Sequence, residues 1–516
     1  MQPPSTIHTT ISRRQFLKHT AGGFAALALA GLSGGLTGCT TAHIGPDHTA
    51  SRAPSMTDLG PPDIEIALRA APGEVQLLPG LPTRVWRYQA EVLHGRPEAV
   101  QPLPDSYLGP ILRFRTGDVV RVHFINDLDE ESIVHWHGLH VPEEADGHPH
   151  LAIGPGETYV YDFPVLSGPG TYWYHPHPHG RTGPQVNYGL AGLLIVEDDE
   201  AASVALPEGE HDIPLVIQDR TFDEENQLTY VDPGGHEQMF GFFGDDILVN
   251  GKPDFIQPVA TRPYRLRILN GSNARIYKLG FSDNRPLTVI GTDGGLLGEA
   301  VTRPYVTLSP GERIELWVDF GADDLGSEIV LESKEFSGSS AFPIMRFQIE
   351  EEAAVETRIP TTLSTFAGYR EDDAVNRRRP RTFDMDMDME NRVWRLNGRT
   401  FEMNEVARNE VVKLGDLEIW EFVNESPFMA MPHPMHVHNV HFQVIGRSVL
   451  PEFANQRASV EDGYVDEGWK DTVLVMPGER VRLLLKFDTY AGLYLYHCHN
   501  LEHEDMGMMR NYRIRA

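Results

Sequence analysis

Two short patterns each recur three times along this 516-residue chain, and together they constrain the fold more than any other feature. The first is a strand-like run that ends in asparagine: GDVVRVHFIN to Asn126, RPYRLRILN to Asn270 and GDLEIWEFVN to Asn424. The second is a Pro-Gly turn followed by alternating apolar residues: PGETYVYDF from Pro155, PGERIELWVDF from Pro310 and PGERVRLLLKF from Pro477. Pro and Gly suit the two central positions of a tight turn, and the alternation is that of a strand with one buried face. Two separate markers returning at a period of about 150 residues describe three copies of one unit. No long stretch has helical periodicity, and many of the 48 glycines and 38 prolines cluster between short apolar runs. The expectation is an all-β chain of three consecutive Greek-key β-sandwich domains, over residues 63–200, 201–355 and 356–516.

The first 62 residues read differently. Ser12-Arg13-Arg14-Gln15-Phe16-Leu17-Lys18 precedes an apolar stretch from Ala21 to Leu36, rich in Gly and Ala and weak for a membrane span. This resembles a twin-arginine export signal. Leu36-Thr37-Gly38-Cys39 resembles a lipoprotein processing site, which would place lipid on Cys39; an ordinary signal peptide cut nearby is the plainer alternative. Residues 1–39 are therefore expected to be leader and 40–62 a polar tether. Periplasm or cell envelope follows, with membrane attachment only through Cys39. Inner and outer membrane are not distinguished. The formal charge of -30 argues against nucleic acid and anionic lipid surfaces as partners.

The outer two copies share what the middle one lacks. GTYWYH ends at His175 and GLYLYH at His497, whereas GSEIVLES stands near that place in the middle copy. Four clusters follow: His135-Trp136-His137, His175-Pro176-His177, His433-Pro434-Met435-His436-Val437-His438 and His497-Cys498-His499. Residues two apart on a strand face the same way, so each His-X-His offers two imidazoles side by side. Four such pairs in two homologous domains supply nitrogens for a compact cluster of metal ions.

The chain has 2 cysteines, and with Cys39 in the leader the folded part is left with Cys498. In His497-Cys498-His499 the imidazoles point one way and the sulfur the other, so one strand can serve two sites. On the sulfur side His433 and His503 are the available donors, and Met508 lies beyond the thiol with Met506 and Met509 as rivals. Two imidazoles, a thiolate and a weak thioether are the ligands of a blue copper site, and the soft sulfur selects copper.

These four motifs resemble those of the multicopper oxidases, the family that includes laccases, over about residues 65 to 516. The resemblance implies three cupredoxin domains and four copper ions. By motif position it implies His135 and His436 at type 2 copper. It implies His137, His175, His177, His438, His497 and His499 at the type 3 pair, and His433, Cys498 and His503 at type 1 copper with Met508 axial. It further implies one-electron oxidation of a small reductant, electron transfer through Cys498, and reduction of dioxygen to water. Asp146 and Glu504 match acidic positions that relay protons in related bacterial enzymes; orienting an imidazole is their other reading. His140, His179 and His441 fall outside the pattern and are expected to be ordinary polar or supporting residues.

The reductant is less constrained. Phenols and aromatic amines lead, with cuprous or manganous ion as the alternative. Phe383-Asp384-Met385-Asp386-Met387-Asp388-Met389-Glu390 reads first as a strand with methionines inward. Met429 and Met431, before His433, are packing residues or a small soft-metal site. A copper-storage or copper-free scaffold role belongs to another class, and the full set of histidines with Cys498 argues against the scaffold. The protein is expected to act as a monomer.

Overall fold

The computed structural model describes residues 59–231, 235, 237–336, 339–353, 355, 358–426 and 430–516. The export motif, Cys39 and Met429 lie outside these. Among the described residues no helix is long and apolar enough to cross a membrane.

Each repeated marker becomes the same piece of structure. Val119–Asn126 pairs antiparallel with Thr158–Pro164, Pro263–Asn270 with Arg313–Asp319, and Leu417–Val423 with Glu479–Lys486. The asparagine that ends each first strand is buried and clamps two backbone carbonyls. Asn126 Nδ2 donates to Glu130 and Ile153, Asn270 Nδ2 to Arg275 and Leu308, and Asn424 Nδ2 to Met431 and Val475. The Pro-Gly turn closes on the same residue. The amides of Gly156, Gly311 and Gly478 donate to the carbonyls of Asn126, Asn270 and Asn424. These glycines have φ of 78°, 84° and 71°, the left-handed conformation that the turn demands and glycine adopts without strain.

Around these pairs the described residues form six sheets, two for each copy of the unit. In the first sandwich, Ile64–Val75 joins Val119–Asn126 in parallel on one sheet, and Val134–His137 pairs with Gly170–Pro176 on the other. Both sheets close on one core that includes Leu68, Phe124, Trp136, Tyr161 and Tyr174. The middle sandwich closes on a core with Leu266, Leu279, Leu316 and Phe347, and the third on one with Phe383, Trp420, Leu483 and Tyr496. The all-β expectation is met.

Local alternation sets the acidic methionine run. Arg381–Asp388 is a strand whose Phe383, Met385 and Met387 are buried in the third core, and Arg395 pairs with the outward Asp386 and Asp388. The inward-methionine expectation holds there, and Met389, beyond the strand, is 53% exposed. Met431 packs against the same core and its carbonyl accepts from Asn424.

Register then positions the histidines. In the first sandwich His135 lies opposite His175, and in the third His436 lies opposite His497 and Met435 opposite Cys498. The strand Gly492–Cys498 thus turns Cys498 into the third core and His497 toward the first sandwich.

Candidate metal centres

One group lies within the third sandwich. His433 opens the strand His433–Val437, Cys498 ends Gly492–Cys498, and His503 sits on the helix Leu501–Asp505. Asn500 caps that helix through its side chain and donates its amide N–H to Cys498 Sγ at 3.4 Å. The sulfur is 3.6 Å from His433 Nδ1 and 3.7 Å from His503 Nδ1, and these two nitrogens are 3.2 Å apart. Met508 is held beside them by its backbone: its carbonyl accepts from Cys498 N at 3.0 Å and its amide donates to the His503 carbonyl at 2.9 Å. Its side chain is buried in the core that contains Cys498. Met509 turns away into a cluster with Phe401 and Leu495, and Met506 caps the helix at the edge of the core. Of the three methionines, Met508 is the one fully buried in the core that contains the thiol.

The outer side of this group is covered. His503 Nε2 donates to the Met239 carbonyl at 3.1 Å, and Trp394 Nε1 reaches the same oxygen at 3.3 Å. The Trp394 ring stands 4.5 Å from that of His503 and 4.9 Å from that of His433. Neither cover has a local signature in the chain: Met239 comes from the middle copy, and Trp394 lies 39 positions before His433.

Eight further imidazoles meet between the first and third sandwiches, all buried. They converge as His135, His137 and His436; His137, His175 and His499; and His177, His438 and His497, with donor atoms within 4.8 Å in each set. His135 Nε2 and His436 Nε2 are 3.4 Å apart. His497 Nε2 lies 3.1 Å from His438 Nε2 and 3.3 Å from His177 Nε2. The sequence-picked histidines are all in these groups, and Asp146 joins His135 and His438 in a fourth set.

His135, His137, His175, His436 and His438 each give one ring N–H to an oxygen, which fixes their tautomers. His135 Nδ1 donates to the Asp146 carbonyl at 2.6 Å, and His438 Nδ1 to Asp146 Oδ2 at 2.8 Å. His436 Nδ1 donates to the Asp471 carbonyl at 2.8 Å, and His175 Nδ1 to that of Pro176 at 2.9 Å. His137 is reversed: its Nε2 donates to Asp471 Oδ1 at 3.0 Å. Glu504 lies between Thr182 Oγ1, which donates to Oε1 at 2.7 Å, and His497 Nδ1, 3.2 Å from Oε2. A neutral imidazole that gives away one N–H keeps a bare lone pair on its other nitrogen.

Those lone pairs test whether a metal fits. His137 Nδ1, His175 Nε2 and both nitrogens of His499 are buried with no hydrogen-bond partner. Buried polar atoms are rarely left so, and a cluster of them aimed at one space is a ligand set. Burial pushes His175 and His433 down to about 3 and the other rings of this kind with a resolved shift well below their ordinary value, so they stay neutral and ready to coordinate. Burial pushes the Cys498 thiol up, so its thiolate needs a bound cation. Nitrogen with sulfur at one group and nitrogen alone at the others is a donor chemistry that suits copper.

Sequence reasoning missed Asp471, which accepts from His137 and His436, and Arg313, which grips Asp471. His140 and His441 meet each other at 4.6 Å between ring centroids, with His441 Nε2 donating to the Gly138 carbonyl at 3.0 Å. His179 rests 5.0 Å from the Phe401 ring. None of the three enters a ligand set among the described residues.

Comparison with known proteins points the same way. Two multicopper oxidase family models match, over residues 85–201 and 374–516, the stretches that carry the histidine motifs. The multicopper oxidase mco of Staphylococcus haemolyticus is 32% identical over 413 residues, 79% of this chain and 82% of that protein. The laccase of Bacillus subtilis is 31% identical over 485 residues, 83% of this chain and 90% of its own. Among solved structures, the McoA multicopper oxidase of Aquifex aeolicus superposes with a TM-score of 0.76 at 37% identity, covering 88% of this chain and 97% of that one.

Proposed function

The chain belongs to the multicopper oxidase family, and from that premise we propose that it is a laccase-like oxidase that takes electrons one at a time from small aromatic reductants and uses them to reduce dioxygen to water. Copper, when bound, supplies the redox chemistry. In this reading His433, Cys498 and His503 would hold type 1 copper, with Met508 available to it, and His135 and His436 would hold type 2. His137, His175 and His499 take one type 3 copper and His177, His438 and His497 the other.

The observation that carries the reading is the double use of one strand end. Cys498 belongs to one group, while its two covalent neighbours His497 and His499 belong to another. Two peptide units therefore join the place where electrons enter to the place where they are consumed.

The remaining work falls to acids. Asp146 orients His135 through its carbonyl and His438 through Oδ2, while Oδ1 is buried without a partner. Burial raises its pKa well above the ordinary range, so it can hold a proton beside the interdomain group. Glu504 connects Thr182 to His497 on the other side. Export by the twin-arginine route to the cell envelope is part of the same proposal and rests on the leader motif alone.

A second reading, oxidation of cuprous or manganous ion, is favoured by the cover over His503. His503 Nε2, the nitrogen facing away from the sulfur, already donates to the Met239 carbonyl and is not free for an organic reductant. A metal ion needs no bond at that nitrogen. Oxygen uptake by the copper-loaded protein, measured with a phenol series and with cuprous ion, tests both. Rapid uptake with phenols supports the first reading; uptake with the ion alone replaces it with the second, and uptake with neither removes the oxidase.

A further inference from the structure

We propose that Arg313 is a positioning residue for the interdomain copper group, and that the middle sandwich, which supplies no ligand to the described groups, acts on that group through this side chain. The inference rests on the reading of the histidine groups given above.

Arg313 follows the Pro310-Gly311 turn, opens the strand Arg313–Asp319, and is fully buried. A guanidinium has five N–H donors, and here all are used. Nε donates to the Thr171 carbonyl of the first sandwich at 2.9 Å. Nη1 donates to the Gly311 carbonyl at 3.0 Å and to Asp471 Oδ1 at 2.7 Å. Nη2 donates to the Asp293 carbonyl at 3.0 Å and to Asp471 Oδ2 at 2.5 Å. One side chain thus touches all three sandwiches. The turn before it presses on the cluster as well: a Cβ on Gly311 would stand 2.9 Å from His499 Cδ2.

The two-pronged grip fixes Asp471, whose carboxylate holds one ring and whose main chain holds another. Asp471 Oδ1 accepts from His137 Nε2, and the Asp471 carbonyl accepts from His436 Nδ1. These rings come from different sandwiches, yet they stack with centroids 3.7 Å apart and planes 11° from parallel. Asp471 Oδ1 takes the hydrogen of His137 Nε2, and that leaves the unpartnered Nδ1 as the ligand atom.

Removing the guanidinium leaves a buried carboxylate with its main counter-charge gone. Without the fork the side chain is free to turn away, and His137 to carry its hydrogen on Nδ1, where it blocks coordination. Lysine would restore charge without the fork. The Cys498 group touches neither Arg313 nor Asp471 and serves as an internal reference.

The experiment loads wild-type protein, Arg313→Met, Arg313→Lys, Asp471→Asn and Arg267→Met with copper. It reads metal per chain, the type 2 electron paramagnetic resonance signal and the type 1 visible band. Arg267 is the control for interdomain glue: it bridges Asp212, Glu315 and Thr171 and contacts no cluster histidine. The expected result is interdomain copper lost, or its resonance signal strongly altered by the disturbed His137 site, in Arg313→Met and Asp471→Asn, partly regained in Arg313→Lys and kept as in the wild type in Arg267→Met, with the blue band retained throughout. Copper affinity between the sandwiches should fall about 10- to 100-fold, as for other partners that orient a ligating histidine. If Arg313→Met does not fold, Asp471→Asn and Arg313→Lys decide by the same readings. A wild-type signal in Arg313→Met or, failing that, in Asp471→Asn overturns the proposal, as does an equal loss in Arg267→Met. Wild-type protein without copper between the sandwiches overturns the reading beneath it instead.

Discussion

Asp146 and His438 are 292 positions apart and belong to different sandwiches, yet Asp146 Oδ2 accepts from His438 Nδ1 at 2.8 Å, with both side chains buried. The same residue holds His135 by its main chain, so one aspartate bridges the two halves of the interdomain group.

Asp146→Asn keeps the backbone contact to His135 and a side-chain acceptor for His438, and removes only the ability to take and give a proton. Turnover should fall about 10²-fold, the low end for a positioned acid or base, while the blue band stays. Stopped-flow reduction of the type 1 band, compared with steady-state oxygen uptake, separates the two steps. Unchanged uptake would remove Asp146 from proton delivery and leave it an orienting residue.

Acid should weaken the metal-free fold through histidines that are buried neutral outside the ligand sets. His148 donates from Nε2 to Asn511 Oδ1 at 2.7 Å, and burial pushes it down to about 3. An unfolded histidine titrates near 6.5, so the folded pKa is the lower one. The stability contributed by neutral His148 is then present above about pH 6.5 and is lost as the pH falls toward about 3, at about 1.4 kcal/mol per pH unit. His148→Gln keeps a donor for Asn511 but cannot titrate. Urea unfolding across this range should show an acid limb shallower by about that amount; the wild-type slope in the variant would contradict the assignment.

Asn270 offers a test of the repeat itself, through a side chain that meets only backbone groups. Its side chain ties two loop carbonyls and accepts from Ser272 N at 3.0 Å. Asn270→Ala orphans these buried groups and should cost about 1–3 kcal/mol. Thermal unfolding measures it. A smaller loss would mean that the clamps found at Asn126, Asn270 and Asn424 do not hold the turns.

What could be read from the chain and what could not divide along one physical line. Asn126, Gly156 and their counterparts do their work locally, so the repeat declared itself. His135 with His137, or Cys498 between two histidines, is likewise local, because strand alternation decides which way each side chain faces. Met508 was harder, since only the helix Leu501–Asp505 and the backbone bonds after it separate it from Met506 and Met509. Arg313 and Asp471 are 158 residues apart and left no periodic trace. Their pairing follows from how three sandwiches meet, as does the reach of Met239 over His503.

The central claim is that Cys498 binds copper as a thiolate and feeds a separate group of imidazoles. Visible and electron paramagnetic resonance spectra of copper-loaded wild-type and Cys498→Ser protein test it together. The account predicts an intense blue band in the wild type, its complete loss in Cys498→Ser, and a type 2 signal that survives the substitution. A colourless wild type with a freely titrating thiol would contradict it, as would a variant that loses the interdomain copper along with the blue.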